Sequence, residues 1–184
     1  MALLLIGGIA LLLIFIFGYN ALIGKRNQVD NAFAALDAML KKRFDLIPNL
    51  VATAKNYAQY EQSTLNNLVA LRSKAVNGEL SKNESIELDN AFSQAARGLV
   101  VLSESYPELR ASENYMQLQR ALNETEEQIS AARRNYNAVV TNFNDAVQKF
   151  PSNIIASAFT FESRPLLITD EAHRENIDVN QLFK

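Results

Sequence analysis

Residues 115–150, YMQLQRALNETEEQISAARRNYNAVVTNFNDAVQKF, carry an apolar repeat with a period of seven. The leading positions are Tyr115, Leu122, Ile129, Tyr136, Phe143 and Phe150, and three residues after the first five come Leu118, Thr125, Ala132, Val139 and Ala146. Such a repeat, held over about five heptads, predicts one long helix in left-handed supercoiled packing with its aromatic residues in the core. Pro107 and Pro151 bracket the repeat, so we expect the helix to span about residues 108 to 150.

Helical periodicity also precedes this stretch. Apolar residues recur at helical spacing through residues 22–40, 47–68 and 88–99. The segment NGELSKNES, residues 77–85, interrupts the pattern and predicts a loop followed by a new helix, with Ser81 or Asn83 as the N-cap. These elements predict an all-α fold.

The segment KKRFDLIPNLV, residues 41–51, places a proline inside the helical pattern. One interpretation is a corner, in which one helix ends near Phe44 and another begins near Leu46 with Pro48 in its first turn. The other is a single kinked helix, because the apolar phase continues through the proline. From the residues alone both remain open. The cations Lys41, Lys42 and Arg43 suit the negative end of a helix dipole in the first case.

The first 24 residues predict a membrane anchor. An uncharged apolar run begins at Ala2, and the first charge after it is Lys25, a span close to the roughly 20 residues that a bilayer requires. A cleaved signal peptide is the alternative, but it would call for a cationic leader and small residues at the cleavage site. The anchor side chains that we expect to face lipid are Leu3, Leu5, Ile6, Leu12, Ile14, Phe15 and Phe17.

The flanking residues predict the orientation of this anchor. Tyr19, Lys25 and Arg26 follow the run at the position where headgroups belong, and nothing basic precedes it. The positive-inside rule therefore predicts an external amino terminus and a cytoplasmic helical bundle over residues 25–150. Residues 151–184 are expected to form a tail that returns toward the membrane.

Four apolar residues of this tail form a candidate interface: Ile154, Ile155, Phe159 and Phe161. Packing against the base of the bundle would account for them. An interfacial wedge in the lipid, or a contact with another subunit, is the functional interpretation.

The composition argues against several classes of chemistry. The chain of 184 residues has a formal net charge of −2 and no cysteine, which disfavours nucleic-acid binding and excludes thiolate sites. The single histidine is His173, and the carboxylates Glu124, Glu126 and Glu127 lack the histidines of a di-metal site. With Arg133 and Arg134 they are expected on an exposed helix face. We expect no catalytic residue, no metal site and no cofactor.

Two stretches resemble the LemA family. GYNALIGKRNQVDNAFAALDAMLKKRFDLIPNLVATAKNYAQYE, residues 18–61, is similar to the first part of its signature. Residues 106–161 are similar to the second, with RRNYN and FPSNIIA in the expected order. The sequence departs from the family pattern at Ala38-Met39 and at Leu166-Leu167.

The resemblance implies a bacterial inner-membrane protein with one amino-terminal span and an antiparallel, up-and-down four-helix bundle. It favours the corner at Pro48 and implies no established enzymatic activity. A link of the family to magnetosome membranes points to membrane organisation. We therefore expect a non-enzymatic homo-oligomer that organises the inner membrane, with the bilayer as its partner. The alternative is an adaptor for an envelope-stress or protease partner.

Overall fold

The computed structural model describes residues 1–57, 62–78 and 80–167. Over these ranges the protein is helical and contains no strand. The helices are α1 (Ala2–Phe44), α2 (Ile47–Lys55), α3 (Gln62–Asn77), α4 (Lys82–Ser105), α5 (Pro107–Ala111), α6 (Glu113–Gln148) and α7 (Ser152–Ala158). His173 and the rest of residues 168–184 lie outside the described part.

Helix α1 has 43 residues, which corresponds to about 65 Å. Its amino-terminal half is apolar and exposed, whereas from Leu22 onward it buries one stripe of side chains. Val29, Leu36 and Leu40 continue this stripe, seven or four residues apart, as expected for one face of a helix. One continuous helix therefore joins an exposed apolar segment to the protein core.

The predicted helix boundary at Pro48 is present, since α1 ends at Phe44 and α2 begins at Ile47. The backbone nevertheless stays helical, because Asp45 and Leu46 both have right-handed helical dihedral angles. The Asp45 amide donates to the Lys41 carbonyl at 3.0 Å, as it would inside a helix. Pro48 lies in the first turn of α2, where no intrahelical amide is required.

Contacts with α6 show that α2 continues the path of α1. Phe33 of α1 packs on Tyr136, and Arg43 bonds Glu126 further back along α6. Asn49 and Thr53 of α2 then line a groove with the beginning of α6. The kinked continuation is therefore correct. The corner interpretation was wrong because it requires the chain to change direction after Phe44. The two residues at the junction have helical dihedral angles, so α2 continues in the direction of α1.

Helices α3 and α4 form an antiparallel pair. Ser81, one of the two predicted N-caps, precedes α4 and forms a capping box. Its hydroxyl accepts a hydrogen bond from the Glu84 amide, and the Glu84 carboxylate accepts one from the Ser81 amide. These bonds lower the pKa of Glu84. Lys82, at the start of α4, lies 3.6 Å from Asp30 of α1, and Gly98 near its end faces Thr64 of α3. Because Phe44 at the end of α1 packs on Phe92 further along α4, helix α4 runs beside α1 in the same direction.

The long final helix is confirmed in most of its length but is divided at Ser112 into α5 and α6. The heptad positions Tyr115, Ile129, Tyr136 and Phe143 are buried in the core. Phe150 is a correction, since it was expected in the core and is 80% exposed. Helix α6 ends at Gln148 because Lys149 adopts an extended backbone and the residue before Pro151 is disfavoured in a helix.

The tail first meets α1 and then leaves it. Helix α7 packs against both α1 and α6. It ends in a Schellman motif in which the amide of Phe161 donates to the carbonyl of Ala156 and Thr160 has a φ of 53°. Residues 161–167 are extended and run back along α6. Helix α7 thus lies against α1, whereas residues 161–167 lie along α6, and the return of residues 151–184 toward the membrane stays a prediction.

Candidate functional site

The tail and the anchor meet in a small apolar cluster, here called the base cluster: Tyr19, Leu22, Ile155, Phe159 and Phe161. Leu22 and Ile155 are buried in it and lie apart from the main core. Helix α7 approaches α1 so closely that a Cβ atom at position 18 would overlap the side chain of Ile155. A side chain at position 18 would therefore require Ile155 to shift.

Aromatic contacts hold the remaining members of the base cluster together. The ring of Tyr19 lies 4.7 Å from that of Phe159 and 5.9 Å from that of Phe161. The guanidinium of Arg26 lies 5.6 Å above the Phe161 ring, which is a favourable cation–π geometry. Tyr19 and Arg26, for which headgroup contact is a prediction, contact the tail through Phe159 and Phe161.

The candidate tail interface divides into two parts. Ile155 is buried and Phe161 is partly buried, so these two residues pack against the protein. Ile154 and Phe159 are 54% and 52% exposed. Phe150, which sequence reasoning assigned to the core, is a third exposed apolar side chain in this part of the sequence.

The predicted anchor residues lie along the exposed half of α1. Leu3, Leu5, Ile6, Leu12, Ile14 and Phe17 are exposed, and Phe15 is partly covered by the base cluster. In the part of the chain that the structure describes, this is the one helix whose length and composition would allow it to cross a membrane. Lys25 is partly buried one turn beyond Leu22.

A buried ionic network lies in the middle of the helical part, and sequence reasoning missed it. Arg43 donates to Asp89 at 2.7 Å and forms an ion pair with Glu126 at 2.6 Å. Arg133 bonds the second oxygen of Asp89 at 3.1 Å, and the Arg43 guanidinium stacks 4.6 Å from the Phe92 ring. Burial raises the pKa of Asp89, and the two guanidinium groups oppose this effect.

Arg43 lies in the last turn of α1, as expected for a cation at the negative end of a helix dipole, but its side chain is buried. The expected exposed face of α6 is corrected at Arg133, whose side chain is largely buried, whereas Glu126 is half exposed. The position of Asp89 in the sequence could have indicated a buried carboxylate. It falls on the same helical stripe as Ser85, Leu88 and Phe92, all of which are buried.

The extended residues 161–167 are fastened to α6 by two asparagines. Asn144 donates to the carbonyl and accepts from the amide of Arg164, both at 2.8 Å. Asn137 does the same with Leu167, both at 2.9 Å. Arg164 also binds Asp30, and this hydrogen bond lowers the pKa of Asp30. We call the Asn137 and Asn144 pair the asparagine clamp.

The comparisons with known proteins cover the same elements. A model of the LemA family matches residues 32–181, which include the ionic network, the asparagine clamp and the tail part of the base cluster. "Protein LemA" of Metamycoplasma hominis is 28% identical over 173 residues, which cover 92% of this chain and 79% of the relative.

Two further relatives are magnetosome proteins. "Magnetosome protein MamQ 2" of Paramagnetospirillum magneticum is 22% identical over 201 residues, covering 96% of this chain and 74% of the relative. "Magnetosome protein MamQ" of Magnetospirillum gryphiswaldense is 22% identical over 179 residues, covering 84% and 66%. Because the family model matches most of the chain, this protein belongs to the LemA family.

Proposed function

We propose that the protein is a non-enzymatic, membrane-anchored helical rod that self-associates to organise or shape the bacterial inner membrane. The observation that carries this proposal is the continuity of α1, whose exposed apolar half and core-forming half are one helix. A contact between two rods would therefore change the tilt or spacing of their anchors directly. The similarity to magnetosome proteins supports a role at a membrane.

The rod itself is an antiparallel, up-and-down four-helix bundle in this proposal. Helices α1 and α2 together form its first member, and α3, α4 and the pair α5–α6 form the others. The opposite directions of α1 and α6, and of α3 and α4, support this arrangement. Lys25 and Arg26, directly after the apolar half of α1, support a cytoplasmic rod.

A structural role, as opposed to a catalytic one, is supported by the use of the buried charges. Arg43 and Asp89 are occupied with each other, with Arg133 and with Glu126. Groups engaged in this way hold helices together, and the two arginines cannot deprotonate.

Subunit counting in a bilayer tests self-association. The full chain is reconstituted into nanodiscs large enough for several copies, and particle masses are measured over a range of protein-to-lipid ratios. A single-span protein of similar size that is known to be monomeric is the control. We expect masses of several copies at ratios where the control gives one, and strictly single copies at all ratios would contradict the proposal.

Exposed valines on the α3–α4 hairpin favour an adaptor as the second candidate function. Val69 and Val76 of α3 and Val101 of α4 are exposed. They therefore contribute nothing to the core and are available to contact a partner protein. In this case Val69→Asp together with Val101→Asp should abolish binding of a stoichiometric protein partner. If no such partner is recovered with the unmodified full chain, the adaptor function is excluded.

A further inference from the structure

We propose that the segment from Phe150 to Phe159 is a second membrane contact, which inserts into the headgroup region of the leaflet beside the anchor. Three side chains make the contact: Phe150, Ile154 and Phe159. This inference rests on the proposed anchoring of α1 and names the surface that the tail binds.

The first argument is the way in which α7 distributes its side chains. Ile155 and Ala156 are buried against α1 and α6, so the helix has already satisfied its packing with the protein. The other large apolar residues of the segment keep much of their surface exposed: Phe150 is 80%, Ile154 54% and Phe159 52% exposed, although the Phe159 ring also contacts Tyr19. Large apolar side chains concentrated in ten residues indicate a binding surface, since isolated exposed ones need no explanation.

The second argument is the level of these residues along α1. Ile155 packs at Gly18 and Leu22, and the Phe159 ring stacks on Tyr19, at the end of the exposed apolar half of α1. Helix α7 therefore lies where a bilayer around the anchor would have its boundary with water.

The third argument is that the two apolar surfaces are continuous. An open groove of about 750 Å³ joins them, lined by Leu12, Phe15 and Tyr19 of α1 and by Phe159. The lining is apolar apart from Asn20 and the Tyr19 hydroxyl, so acyl chains beside the anchor would fill this groove and reach Phe159. The occupant that fits is thus the same lipid that surrounds α1.

The charges around the segment agree with a lipid surface. Arg26 lies over the Phe161 ring, and the largely exposed Lys149, paired with Asp145, precedes Phe150. Cations next to inserted apolar residues are typical of interfacial helices, which bury their apolar face about 5–10 Å into the headgroup boundary. A helix of seven residues binds lipid weakly alone, but the anchor holds this one at the surface. Two contacts then fix the tilt of the rod, which an anchor alone would not do.

Tryptophan fluorescence can measure the depth of this segment, because the natural chain contains no tryptophan. The full-length variants Phe150→Trp and Ile154→Trp are reconstituted into vesicles whose lipids carry bromine either near the headgroup or deep in the acyl chain. Leu12→Trp, in the middle of the anchor, is the deep reference. Val101→Trp, at a 64% exposed position of α4, is the reference for water.

We expect the emission of Phe150→Trp and Ile154→Trp to be quenched more by shallow than by deep bromine. Leu12→Trp should show the reverse order, and Val101→Trp should be quenched by neither lipid. All four substitutions replace exposed side chains, and far-ultraviolet circular dichroism confirms the helical content of each variant.

The inference is overturned if Leu12→Trp is quenched while Phe150→Trp and Ile154→Trp are not. The same absence of quenching is expected if a second copy of the protein, and not lipid, contacts the segment. If Leu12→Trp is unquenched as well, both the inference and the proposed anchoring fail. Shallow quenching of both variants, together with strictly single copies at all ratios in the nanodisc measurement, would support the second membrane contact and contradict only self-association.

Discussion

Arg43 and Asp89 illustrate how single residues hold the rod together. Both are removed from water, and each supplies the charge that the other requires. Such a pair adds little stability compared with apolar residues of the same size, but removal of one partner leaves a buried charge without compensation. The network joins α1, α4 and α6, so we infer that it fixes the relative position of these three helices.

Asp89→Asn is expected to lower the free energy of unfolding by about 3 kcal/mol, as for other broken buried ion pairs. Burial already disfavours the carboxylate, but the guanidinium groups cannot deprotonate and would lose their counter-charge. Chemical denaturation followed by circular dichroism measures the effect. Asp37→Asn, which removes the partner of the exposed Lys41, is the matched control and should leave stability nearly unchanged. Equal effects of the two substitutions would contradict the structural role of the network.

A second prediction about a single residue concerns Thr160. It is a β-branched residue with a φ of 53°, at the position of the Schellman motif where glycine is usual. Thr160→Gly should therefore stabilise the protein by roughly 0.5–1 kcal/mol, since the strain of a left-handed side chain exceeds the entropy that glycine loses. Thermal unfolding in detergent measures this, with Thr160→Ala as a control that should gain less. A decrease in stability with glycine would show that the strain is absent.

The asparagine clamp shows how an element is positioned. Asn137 and Asn144 are two helical turns apart, about 10.5 Å along α6. Arg164 and Leu167 are three extended residues apart, about 10 Å. Each side-chain amide both donates to and accepts from the backbone of its residue, so the clamp binds the tail as a neighbouring strand would.

The double substitution Asn137→Ala and Asn144→Ala should release residues 161–167 from α6. Four hydrogen bonds are lost, each worth about 0.5–1.5 kcal/mol, and no apolar side chain of the core is substituted, although Leu167 of the released segment packs in that core. Hydrogen exchange at the amides of Arg164 and Leu167 is expected to accelerate at least about tenfold, the factor that 1.4 kcal/mol represents. Asn135→Ala with Asn142→Ala, at exposed positions of the same helix, is the control. Unchanged exchange in the clamp variant would show that other contacts hold the tail.

Sequence reasoning was most successful where a pattern was local and long. The heptads located α6 and most of its buried face, and Ser81 was one of two caps proposed for α4. It failed where distant elements decide the outcome. Phe150 continues the heptad pattern, but it follows the end of α6 and is therefore not in the core. At Pro48 the helical path continues past the proline, and α6 packs along both α1 and α2. Asp89 is buried because arginines from two other helices meet it there.

At the scale of the whole molecule, the proposed function treats the exposed apolar half of α1 and the rod as one rigid unit. A tilt of the rod would then tilt the anchor, because the base cluster packs the tail against α1 where they join. Neighbouring rods that associate at a fixed angle would therefore impose a fixed arrangement on their anchors. Everything in this proposal requires that α1 crosses the membrane with the rod on the cytoplasmic side.

Labelling of single cysteines in spheroplasts measures this arrangement most directly, because the natural chain contains no cysteine. Val101→Cys places an exposed thiol on the rod, and Ala2→Cys places one at the start of α1. With a membrane-impermeant maleimide, a cytoplasmic rod predicts that Val101→Cys reacts only after the membrane is permeabilised, whereas Ala2→Cys reacts in intact spheroplasts. Reaction of Val101→Cys in intact spheroplasts would place the rod outside and contradict the proposed function.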